Sequence, residues 1–134
     1  MIFFLDNTNP PPFARALRAF GHDIRHLLEI DELPKKGATK DTEWIPFVGA
    51  RGWVTITGDH RILTNPEERR LFEEWKLIAI FMPKGFTKEL LWSQFQLVVK
   101  AWPEIVAVAD RAHRGDCYEV QRNGKVNIYV PKRL

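Results

Sequence analysis

The chain has 134 residues, of which 45% are hydrophobic and 28% charged, and a formal net charge of +3. That is the size of one domain with ordinary globular composition, and five Trp with nine Phe exclude a disordered chain. The longest uncharged stretch, residues 90–99, is too short to span a membrane, the start MIFFLD lacks the basic region of a secretory signal, and a lone cysteine, Cys117, excludes an internal disulfide or a Cys-based zinc site. The expectation is a cytoplasmic protein with no membrane partner.

Met1 to Leu5 is apolar at every position and reads as a strand buried on both faces. Asn7 to Pro12 reads as a proline-punctuated loop. A helix is expected from Phe13, with Phe13, Leu17 and Phe20 on one face, Arg15 and Arg18 on another, and Gly21 as its stop. Residues 23–28 form a second short strand, and residues 29–40 a charged loop. Asp41-Thr42-Glu43 opens a helix in the manner of acidic and hydroxyl N-termini, with Pro46 requiring the start to lie close by. Residues 53–57, β-branched and aromatic, form a strand that stops at Gly58-Asp59. Asn65-Pro66 caps a helix that runs to about Trp75. Residues 77–82 are another buried strand, ended by Pro83-Lys84-Gly85. A long helix is expected from Thr87 to Arg111, apolar nearly all round, with Pro103 kinking or breaking it. The runs YEVQ and VNIYV flank Arg122-Asn123-Gly124-Lys125 and predict a hairpin over residues 117–130. Strands that alternate with helices indicate an α/β fold, a mostly parallel sheet with helices on both faces. The chain reads as one domain over residues 1–134, with a core over about 1–111 and a C-terminal hairpin segment over about 112–134.

Charge is uneven along the chain. Residues 1–110 carry a net −1, and residues 111–134 a net +4 from six Lys/Arg against Asp116 and Glu119. A basic C-terminal segment suits a polyanionic or acidic partner, and a solvated surface is the plain alternative.

In open parallel sheets ligands collect at the carboxyl ends of the strands. Asp6 follows the first strand directly and Asp59 follows the third after one glycine. Asp41 and Glu43 begin the helix that the second strand feeds, so their helix start lies on the same edge. Carboxylates brought together repel unless a cation lies among them, and a hard divalent ion takes oxygen ligands. Held there, Mg²⁺ or Mn²⁺ activates water and stabilises phosphoryl transfer. Each residue also has a structural alternative: a loop bond for Asp6, a helix cap for Asp41, dipole complementarity for Glu43 and a tight turn for Asp59. Lys84, Arg61 and Arg15 are candidate phosphate or RNA contacts, with exposed side chains as their alternative. Asn7 and Asn9 are candidate supporting residues, with loop capping as theirs. His60 is the histidine nearest this edge. Trp44, Trp53 and Trp92 are expected in the core, and Cys117 is expected to be inert.

The sequence Phe4-Leu5-Asp6-Asn7 with its proline loop, then Leu17-Arg18-Ala19-Phe20-Gly21-His22-Asp23-Ile24, resembles the opening of PIN-like nucleases. Asp41-Thr42-Glu43-Trp44-Ile45 resembles their middle acidic helix, and Gly52 to Asp59 their strand ending in Thr-x-Asp. The resemblance covers roughly residues 1–100 and points to the compact group that includes VapC-type toxins of toxin–antitoxin pairs. It implies the PIN-like three-layer fold and metal-dependent RNA cleavage with Mg²⁺ or Mn²⁺. Asp6, Asp41 or Glu43, and Asp59 would be catalytic metal ligands, with Thr57 supporting the third acid. A cognate antitoxin protein and an RNA substrate would be the partners, and a homodimer stays open. Many members carry a further acid two residues beyond the third, where this chain has Arg61. That departure argues for one metal, or a second held through substrate phosphate.

Three other readings compete. A PIN-like module weakened in catalysis would bind RNA or a partner without cutting. A phosphoacceptor receiver shares the element order, but wants paired acids where Asp6 is followed by Asn7. A dinucleotide-binding domain wants a Gly-x-Gly-x-x-Gly first turn, which is absent from the sequence.

Overall fold

The computed structural model describes residues 1–34 and 40–133. Strand β1 (Phe3–Leu5) leads into α1 (Pro11–Ala19) and β2 (Ile24–His26). Then come α2 (Asp41–Arg51), β3 (Val54–Thr57), α3 (Pro66–Glu74) and β4 (Ile78–Phe81). The chain ends with α4 (Leu91–Arg111), β5 (Cys117–Val120) and β6 (Val126–Ile128). Short 3₁₀ turns lie at Leu27–Glu29, His60–Leu63 and Phe86–Lys88. The six strands form one sheet in the order β2-β1-β3-β4-β5-β6. Neighbours from β2 to β5 are parallel, and β6 returns antiparallel on β5.

Helices cover both faces because the central strands are apolar on both. Phe3 and Leu5 point to one side, where α1 brings Phe13 and Leu17 and α4 brings Leu97, Val98, Ala101, Trp102 and Ile105. Phe4 points to the other, against Trp44, Ile45 and Val48 of α2 and Phe72 of α3. The chain therefore has the expected α/β fold, with the antiparallel hairpin at its C-terminal end.

Several boundaries differ from expectation. Helix α1 begins at Pro11, not Phe13, because an N–H in the first turn has no helical acceptor and prolines cost nothing there. Helix α4 begins at Leu91. The residues before it form a separate 3₁₀ turn, and Leu90 enters in extended conformation. Pro103 does not break α4. Its absent N–H leaves a carbonyl on the solvent side free, and Pro103 and Val99 are both exposed there. Trp44 is fully buried as expected, Trp53 is half-buried, and Trp92 is 68% exposed, so the expectation of a core Trp92 fails. Residues 35–39 of the charged loop lie outside the described residues. No helix among the described residues is long and apolar enough to cross a membrane.

Candidate active site

The carboxyl ends of β1 and β3 lie side by side, with Leu5 in register with Ile56. The residues that leave these two ends are tied together before any ligand enters. Asp6 is 2% exposed. Its Oδ1 accepts from the Thr8 N–H at 3.1 Å, the Thr8 hydroxyl at 2.5 Å and the Asn9 amide at 3.3 Å. Its Oδ2 accepts from the Thr57 hydroxyl at 2.5 Å. Thr57 Oγ1 also accepts from the Asp59 N–H at 3.0 Å, so one hydroxyl joins the first acid to the backbone of the third. Thr57 thus supports Asp6 through its side chain, not the Asp59 carboxylate. Thr8 makes a second tie, accepting from the Gly58 N–H at 2.7 Å. Asn9, 1% exposed, makes a third by donating to the Ile56 carbonyl at 2.8 Å.

An open cleft of about 530 Å³ lies over this edge. Asp6, Asp41 and Asp59 all line it, together with Asn7, Thr8, Lys40, Arg61, Glu67 and Glu68. Asp41 is the first helical residue of α2, and its Oδ1 accepts from Trp44 Nε1 at 2.8 Å. Asp59 accepts from the Arg61 backbone N–H at 3.0 Å and from its guanidinium at 3.0 and 3.3 Å. Arg61 is otherwise in solvent, its side chain 87% exposed.

Glu43 does not line the cleft. It accepts from the Lys40 N–H at 3.0 Å and caps its own helix. Of Asp41 and Glu43, the structure brings only Asp41 to the other acids. Arg15 is exposed and lines neither this cleft nor the one beside it. Lys84 lies in that neighbouring cleft. His60 packs against Phe81 and Tyr129, and its Nε2 lies 2.7 Å from the Met82 carbonyl. A carbonyl can only accept, so Nε2 carries the proton.

Glu68 and Thr8 are the residues that the sequence reading missed. Glu68 is the third residue of α3, whose N-terminus follows β3 as that of α2 follows β2. The rule that selects Asp41 selects Glu67 and Glu68 as well, but Asn65-Pro66-Glu67-Glu68 also satisfies a helix start completely. Asn65 Oδ1 does cap α3, accepting from the Glu68 N–H at 3.1 Å.

Acids gathered in a half-dry cleft resist ionisation. Burial pushes Asp6 up to about 6, against the pull of the Thr57 and Thr8 hydrogen bonds, and the charge of Asp41 adds to the rise. Burial also pushes Glu68 up to about 7, helped by its hydrogen bond to Asp41 and by the charges of Asp41 and Asp59. Among the described residues no three His, Cys, Asp or Glu side chains form a ready-made metal cage. The donor chemistry still fits Mg²⁺ or Mn²⁺, since such ions keep several waters and commonly use one or two carboxylates.

A PIN-like domain family model matches residues 1–84 of the chain. The chain belongs to the PIN-like domain family. PIN-like domains are commonly nucleases, and the acid-lined edge of the sheet lies within the matched residues. No curated protein and no solved structure matches the chain.

Proposed function

We propose that this PIN-like protein is a metal-dependent endoribonuclease of the VapC type, the cytoplasmic toxin of a toxin–antitoxin pair that a cognate antitoxin protein restrains. The observation that carries the reading is the convergence of Asp6, Asp41, Asp59 and Glu68 on one cleft at the carboxyl edge of a parallel sheet. Burial first, and then the nearby charge of Asp41, raise two of these acids, Asp6 to about 6 and Glu68 to about 7. A site that holds unsatisfied negative charge is built to receive positive charge.

In this reading Asp41, Glu68 and Asp59 hold Mg²⁺ or Mn²⁺ together with water, and Asp6 stands behind them. Bound there, the cation supplies charge neutralisation for a phosphodiester and a more acidic water. The protein's part is positional. Both Asp6 oxygens already accept protein hydrogen bonds, which fixes that carboxylate against rotation. Glu68, raised to about 7 by burial and by Asp41 and Asp59, would lose its proton more readily with positive charge in the cleft. Arg61, exposed and paired with Asp59, can turn from the carboxylate to a substrate phosphate.

The same ion pair favours one second reading. With Arg61 neutralising Asp59, the protein binds RNA or a partner and does not cut it. Purified protein incubated with single-stranded RNA and Mn²⁺ separates the two. Cleavage that EDTA stops and that Asp59→Asn and Glu68→Gln abolish supports the nuclease. Binding without cleavage in either metal supports the second reading.

A further inference from the structure

The acid-lined cleft has a neighbour of opposite charge. A second open cleft, of about 720 Å³, shares Asn7, Thr8, Asp59 and Arg61 with the first and continues past them to Gly58, His60, Lys84, Gly85, Thr87 and Lys88. Its one carboxylate is Asp59, which Arg61 already engages. Lys84 and Lys88 are exposed, and no side-chain hydrogen bond or ion pair is drawn by either ammonium among the described residues. The two clefts thus form one trough, acidic at the α2–α3 end and basic at the β4 end, meeting at the Asp59–Arg61 pair.

The basic end straddles the limit of the family match: Gly58, His60 and Lys84 lie within residues 1–84, and Gly85, Thr87 and Lys88 lie beyond them. Lys84 opens the loop after β4, and Lys88 closes the 3₁₀ turn within it. The C-terminal hairpin fastens this loop. Arg122, in the β5–β6 turn, donates to the Lys84 carbonyl at 3.0 Å and pairs with Glu89. Its charge is therefore spent on holding the loop, while the two lysines remain free over the cleft.

We propose that Lys84 and Lys88 form a phosphate subsite, and that a single RNA strand lies along the trough with a phosphate next to the scissile one seated between them. The choice of RNA as the strand rests on the function proposed above. An anionic strand is repelled by the acidic end until a cation fills it, but needs no cation at the basic end. The subsite therefore holds RNA without metal, and the acidic end acts on it only with metal. Lysine ammoniums read phosphate as point charges and leave base identity unread.

The test is equilibrium binding of a fluorescent oligouridylate to the full chain in EDTA, across a salt series. Wild type binds, and Lys84→Ala/Lys88→Ala loses at least tenfold in affinity at low salt. The log–log salt slope falls by about 1.4, the loss of two single-strand phosphate contacts at ~0.7 each. The charge-matched control Lys125→Ala/Lys132→Ala, which alters no residue lining the trough, keeps both affinity and slope. Equal binding by wild type and the Lys84/Lys88 variant overturns the subsite, as does wild-type binding that disappears in EDTA. Polyglutamate that displaces the RNA at equal charge concentration also overturns it, in favour of an acidic protein segment. Metal-dependent cleavage with unchanged EDTA binding sinks the subsite and leaves the nuclease standing. Lysine-dependent EDTA binding with no cleavage in Mg²⁺ or Mn²⁺ does the reverse.

Discussion

Asp59 carries two jobs that one substitution separates. As a turn residue it accepts from the Arg61 N–H, and an asparagine oxygen serves almost as well. As a ligand it supplies charge, which asparagine lacks. Asp59→Asn is expected to lower metal-dependent RNA cleavage by at least 100-fold in a gel assay. If the proposed toxin function holds, it should also abolish growth arrest on expression of the chain alone. The melting temperature should stay within a few degrees, since the lost ion pair has a largely exposed arginine whose attraction water screens. Asp6 sets the pH dependence. Its folded pKa, about 6, lies above the ordinary value of an aspartate, because the carboxyl is buried. The folded state therefore binds the extra proton, so this contribution is fully present below pH ~4 and is lost as pH rises through ~6. Glu68, pushed up to about 7, extends the loss toward neutrality. Without divalent ions, the melting temperature should fall between pH 5 and 8. Mn²⁺ should raise it more at pH 8 than at pH 5, and a shift independent of pH in differential scanning fluorimetry contradicts that account.

At the scale of elements, the site is two helix starts and two strand ends held at a fixed spacing. Helices α2 and α3 pack closely where Gly49 meets Trp75: a Cβ built on Gly49 would lie 2.6 Å from the Trp75 Cβ. Neither atom is at the end of a flexible side chain, so Gly49→Ala must push the helices apart, at a cost of about 1–3 kcal/mol in overpacking. Chemical denaturation should show that loss, and it should be accompanied by weaker Mn²⁺ binding, because Asp41 and Glu68 sit on the two separated helices. Asn65→Ala removes the α3 cap for about 1 kcal/mol and leaves the helix contact intact. It should therefore lower stability with a smaller change in metal affinity. Element type and order were legible in the sequence, because strand runs and cap residues act locally. Asp6 and Asp59 were legible for the same reason, each sitting where a strand stops. Glu68 was not legible, and Glu43 is selected in its place. Both occupy the third position of a helix start, and only helix rotation decides which side chain reaches the cleft and which turns back to its own cap.

Across the whole molecule, the hairpin is joined to the sheet on which the site stands. Cys117, Tyr118 and Glu119 pair in register with Ala79, Ile80 and Phe81 of β4. Tyr118 and Val120 enter the core beneath α4, and Cys117 enters the core on the opposite face. Burial pushes the Cys117 thiol up to about 11, which keeps it a packed apolar group. Local sequence marks residues 112–134 as an addition to a core over about 1–111, because Asn123-Gly124 announces a hairpin and says nothing of which strand it joins. The pairing with β4 argues for the opposite dependence. Removing residues 113–134 strips β5 from one side of β4, all of whose residues are buried, and leaves an apolar edge open to water and to other chains. It also releases the loop that Arg122 holds through the Lys84 carbonyl. A chain ending at residue 112 is therefore expected to aggregate, or to lose the dispersed amide spectrum of a folded protein. The substitution Arg122→Ala in the full chain is milder. It should leave the melting temperature within a few degrees, since the guanidinium is about half exposed. Its effect should fall on the loop, seen as faster amide exchange over residues 84–89 by hydrogen–deuterium mass spectrometry. A soluble, cooperatively folding fragment ending at residue 112 would show instead that the sheet is complete at β4, and that the hairpin is the appendage its local sequence suggests.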